Sequence, residues 1–85
     1  MNRSINRNAF IADLIELNIE LKELNDVHSD IMSDESIRAE AIHKHLGISA
    51  TFIAERFNDK EIENMVKMFC PTHYEEVLSI LGKIT

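Results

Sequence analysis

Residues 9–32 read AFIADLIELNIELKELNDVHSDIM, with neither glycine nor proline. Phe10, Leu14, Leu17, Leu21, Leu24, His28 and Ile31 recur at alternating steps of four and three, which predicts one long helix with a heptad seam. Ile11, Ile15 and Ile19 widen the apolar surface over the first turns, so that half of the helix is expected to face more than one neighbour. Asn6 or Asn8 is placed to cap its start. At the rise of an α-helix, this segment would be about 36 Å long.

The chain beyond it reads as shorter helices. Ser33-Asp34-Glu35-Ser36 interrupts the pattern, and a second helix is expected over 35–45, burying Ile37, Ala41, Ile42 and Leu46. Gly47 is its expected left-handed C-cap. Ser49 would cap a third helix over 50–57, with Phe52, Ile53 and Phe57 inward. Asn58 followed by Glu61 is a capping-box pattern for a fourth, whose face is Ile62, Met65, Val66 and Phe69. Cys70-Pro71 should end it, because the residue before proline is pushed out of helical geometry. Thr72 with Glu75 repeats the box for a fifth helix, with Val77, Leu78 and Leu81 inward and Gly82 terminating. The expected fold is all-α: a small bundle of about five helices with a long N-terminal, heptad-patterned helix. Residues 1–8 are expected to form a flexible N-terminal arm, and 9–85 a single helical domain.

The length mismatch has a consequence. Helices of 8–12 residues, roughly 12–18 Å long, would cover only part of the first one. The uncovered half would then bury its seam against a second molecule, as a likely-sized apolar stripe on a helix does in a coiled coil. Leu17, Leu21, Leu24, His28 and Ile31 are therefore the candidate partner-binding seam. Asp13, Glu16, Glu20 and Glu23 on its flank would steer a partner with a basic or apolar surface. A homodimer is the first expectation, with parallel helices mildly favoured because antiparallel ones bring Asp13 and Glu20 near their copies. His28, as a polar seam residue, could fix register and respond to pH.

Composition narrows the function. The 85 residues are 45% apolar and carry a formal charge of -6. Residues 9–35 hold Asp13, Glu16, Glu20, Glu23, Asp26, Asp30, Asp34 and Glu35 against Lys22 alone, so the acidity belongs to one segment. Such a balance opposes non-specific binding to nucleic acid and to anionic membranes. Apolar runs are too short for a membrane span. One cysteine excludes an internal disulfide framework and fits a cytoplasmic setting.

Two constellations could carry chemistry. His43, His45, Cys70 and His73 are zinc-type ligands, but two helical residues two apart diverge, so no metal site is expected. The segment 41–57 contains Leu46-Gly47-Ile48-Ser49, which resembles the turn of the helix-turn-helix family. That resemblance covers about twenty residues and implies a DNA-binding regulator, the alternative function. It departs at His43, where a small residue is usual, and at Arg56, where an apolar one is. Its base-facing positions, Ala50, Thr51, Ala54 and Glu55, offer little to a guanine edge or a phosphate. No nucleophile motif, phosphate loop or paired-metal signature is present, so neither an enzyme nor a cofactor is expected. The expectation is a small acidic, protein-binding regulator or adaptor, of the kind that serves as a phage or bacterial accessory regulator or inhibitor.

Overall fold

The computed structural model describes residues 7–27 and 35–84. They form α1 (Arg7–Val27), α2 (Glu35–Arg56), α3 (Asp59–Phe69), a single 3-10 turn at Pro71–His73, and α4 (Tyr74–Ile84). The all-α expectation holds for these residues, which fold as four α-helices where about five were expected. Arg7 and Asn8, assigned to the arm, lie inside α1, and residues 1–6 lie outside the described residues.

The missing helix boundary is at Gly47. The second and third expected helices are one continuous α2 of 22 residues. Gly47 has no positive φ, so it is not a left-handed cap. Ser49 is not an N-cap either: it is buried, and its hydroxyl donates to Asp13 Oδ2 at 3.0 Å, with the Leu46 carbonyl 3.4 Å away. Ile42, Leu46, Ser49, Ala50 and Ile53 are all buried and share one face at helical spacing on both sides of the glycine. A stripe that needs the helix to continue outweighs the modest helical cost of one glycine. This overturns the helix-turn-helix shape expected for 41–57. A Cβ at Gly47 would meet nothing within 4 Å. Gly47→Ala is therefore expected to raise stability by about 0.5–1 kcal/mol, read as a higher melting temperature. A left-handed cap at this position would give the opposite sign.

Two further boundaries follow the chemistry of the caps. Asn58 caps α3 as expected: Glu61 N–H donates to Asn58 Oδ1 at 2.8 Å, and Asn58 N–H donates to Glu61 Oε1 at 3.1 Å. After α3, Pro71 starts the 3-10 turn that leads straight into α4, so Thr72 lies inside that turn rather than at a helix start. Gly82, expected to end the last helix, lies within α4 and has no positive φ.

α1 and α2 run antiparallel. Asp13 meets Ser49, Glu20 meets His45 and Asn25 meets Arg38, so partner numbers rise on one helix as they fall on the other. With 21 and 22 residues the two helices match in length, each about 32 Å. α4 packs on α2, α3 packs on α1, and α3 and α4 close the bundle against each other. The core takes Phe10, Leu14, Leu17 and Leu21 from α1. Ile42, Leu46 and Ile53 of α2, Met65 and Val66 of α3, and Val77 and Leu81 of α4 complete it. Removing such side chains from water is the main drive for this arrangement, at about 1.5–3 kcal/mol for each large one.

Candidate partner-binding face

α1 presents three surfaces of different chemistry. Its inner stripe is the expected seam, and here the expectation needs correction. Leu17 and Leu21 are fully buried, and Leu24 is half-buried against the same core. The seam was expected to stay bare because the following helices were read as short. The continuous α2 supplies the missing length and covers it. The homodimer expectation rested on that bare seam and loses its support with it. His28 and Ile31 lie outside the described residues.

The second surface faces α2 and is polar. Asp13 accepts from Ser49, as described above. Glu20 Oε1 lies 2.7 Å from His45 Nε2 and 3.6 Å from Lys44 Nζ. A carboxylate can only accept, so His45 donates from Nε2. That hydrogen bond, aided by Lys44, holds the Glu20 carboxyl below its usual range, although burial works the other way. Glu16 sits 4.0 Å from His45 Nδ1, a contact that becomes an ion pair only when the ring is protonated.

The third surface points away from the bundle. Ile15 and Ile19 are 43% and 52% exposed, one helical turn apart, and the half-buried Ile11 continues their row. Glu16, whose side chain is 68% exposed, and the exposed Glu23 lie along one edge of that row. Of the four flank acids expected to face a partner, Asp13 and Glu20 are thus engaged within the chain, while Glu16 and Glu23 remain outward.

A second polar cluster ties three helices together where the 3-10 turn meets α1. Arg38 Nε donates to both carboxylate oxygens of Glu76, at 3.0 and 3.1 Å, and Arg38 Nη1 donates to Asn25 Oδ1 at 3.0 Å. Arg38 Nη2 lies 3.0 Å from His73 Nδ1, and Asn25 Nδ2 lies 3.2 Å from His73 Nε2. Guanidinium and amide nitrogens only donate, and a neutral imidazole offers one acceptor. The shorter contact takes it, so Nδ1 accepts from Arg38, and Nε2 carries the ring proton. A second ring proton would displace Arg38. Burial first, and the Arg38 charge next, lower the His73 pKa, while Glu76 pulls the other way. Nearby, burial pushes the Cys70 thiol up to about 11, with the Glu76 charge adding to the shift. At neutral pH Cys70 is a protonated, buried thiol rather than a nucleophile.

This cluster was missed from the sequence. Its members are 13 to 48 residues apart, and no local spacing links them. The signal that could have found it is the antiparallel register, which sets Asn25 opposite Arg38 once α2 is read as unbroken.

The structure does not gather the zinc-type residues. His43 is exposed, His45 is held by Glu20, and His73 is held by Arg38. Among the described residues no group of three or more His, Cys, Asp or Glu is arranged to hold a metal ion. No helix among them is long and apolar enough to cross a membrane. Of the positions read as base-facing, Ala50 is buried, and Thr51, Ala54 and Glu55 are exposed on a helix that has no turn before it. No protein-family model matches the chain, and no curated protein or solved structure matches it.

Proposed function

We propose that the protein is a small acidic regulator or adaptor that binds another protein through the outward face of α1. The observation that carries this reading is the exposure of Ile15 and Ile19 side by side on a helix whose other apolar stripe is already buried. Single exposed apolar residues are ordinary, but a row at helical spacing is a shape that a groove or a second helix can cover. Completing the burial of these two side chains would contribute roughly 1 kcal/mol each.

Charge selects the kind of partner. α1 holds Asp13, Glu16, Glu20, Glu23 and Asp26 against Arg7 and Lys22. A second copy would bring Glu16 and Glu23 toward carboxylates like themselves. A partner with Lys or Arg flanking an apolar strip gains where the copy loses, mainly in encounter rate and in discrimination.

The test compares the protein with an Ile15→Asp, Ile19→Asp double variant, each immobilised and exposed to an extract of the native host. Both changes are at exposed positions, so the variant should keep its far-UV circular dichroism and its melt. A partner retained by the unsubstituted chain should bind the variant at least about tenfold more weakly. It should also be released by added salt, and cross-linking should map its contact to an apolar segment flanked by Lys or Arg. Equal retention by the two proteins would remove this face as the interface.

A further inference from the structure

All four helices converge on a cleft of about 310 Å³ at the end of the bundle opposite the Arg38 cluster. Phe10, Ala50 and Ile53, all buried, line its depth, and Ile62, Leu78 and Leu81 line its sides. An apolar cavity of about 150 Å³ holds a benzene ring, so this one has room for a larger ring system with a short chain. Its polar lining has one sign. Asp59 and Glu63, one turn apart on α3, both border it, and no Lys, Arg or His does. Glu63 shares one carboxylate oxygen with Lys67 at 3.2 Å, and Asp59 forms no ion pair among the described residues.

We propose that this cleft binds a small organic ammonium ion with an apolar, ring-sized body, of the arylalkylamine class. The apolar interior takes the ring, and the two carboxylates take the ammonium group at the mouth. An apolar acid of the same shape has the same ring to bury but meets two like charges and no donor of positive sign. This site is separate from the outward face of α1, and binding here needs none of the residues of that face.

A matched pair of probes tests the charge directly. Tryptamine and indole-3-propionate carry the same ring, with an ammonium and a carboxylate respectively. Each is titrated into the full chain while the methyl groups are followed by NMR. Tryptamine should shift the Ile62, Leu78 and Leu81 methyls saturably, and indole-3-propionate should bind at least about tenfold more weakly. Asp59→Asn with Glu63→Gln changes only surface charge and should bring the two affinities together. Gly82 also lines the cleft, and a Cβ there would meet nothing within 4 Å, so Gly82→Leu should fold and weaken both probes. Equal binding of the two probes to the unsubstituted chain would overturn the proposal. So would shifts at Ile15 and Ile19 instead of the cleft, an undiminished preference in the double variant, or the absence of saturable shifts with tryptamine at millimolar concentration.

Discussion

Leu21→Asp is expected to unfold the domain. Leu21 is 1% exposed and lies in the core with Leu14 and Leu17 on its own helix and with residues of the other three. Truncating such a leucine to alanine costs about 2–5 kcal/mol, through lost transfer energy and the cavity left behind. An aspartate adds the cost of a carboxylate with no partner in an apolar interior, or of protonating it there. A domain of this size holds only about 4–13 kcal/mol in total. Urea and thermal melts followed by circular dichroism should therefore show a lost or strongly lowered transition. Ile19→Asp, two residues away on the outward face, should stay within about 0.5 kcal/mol of the unsubstituted protein. The contrast separates a seam spent inside one chain from a seam left for a partner. An intact melt for Leu21→Asp, with a change in molecular mass alone, would show that the seam faces another molecule after all.

The error that made the seam look like an interface lies in one residue. Phe10, Leu14, Leu17 and Leu21 were legible as a single face, because apolar spacing reports which side of a helix avoids water. It does not report what covers that side. Reading Gly47 as a stop shortened the neighbouring helix by half and left the seam without cover. The correcting signal was present: Leu46, Ser49, Ala50 and Ile53 keep helical spacing through the glycine, and a stripe that continues argues against a turn. Asn58 and Glu61 were read correctly because a capping box is complete within four residues, and Cys70-Pro71 because proline acts on its immediate neighbour. Asp13 with Ser49, or Arg38 with Glu76, could not be read that way. Their pairing depends on how whole helices align, so an exposed polar pattern and an internally satisfied one look alike in the sequence.

Arg38→Met should lower stability and also change its dependence on pH. Arg38 joins Asn25 of α1, His73 of the 3-10 turn and Glu76 of α4, and its side chain is 18% exposed against 32% for Glu76. Breaking a fully buried pair costs about 3–5 kcal/mol, and partial exposure brings the expectation here to about 2–3 kcal/mol. The pH effect follows from His73, whose folded pKa lies below its ordinary value of 6.5. The unfolded chain binds the proton more readily, so this group's contribution is full above pH 6.5 and is lost as pH falls through the folded value. Without Arg38 the ring loses a neighbouring cation and keeps the Glu76 carboxylate, so its pKa should rise toward the ordinary value and its share of the pH slope should shrink. Glu20, also held below its usual 4.5, loses its contribution only at lower pH, so measurements above about pH 5 separate the two groups. Urea midpoints of both proteins between about pH 5 and about pH 7.5 give the slopes, and comparing them cancels the histidines outside the cluster. An NMR titration of the His73 ring checks the direction at the atom itself. An unchanged slope with an unchanged His73 titration would mean that Arg38 does not govern this ring, and that burial alone keeps it neutral.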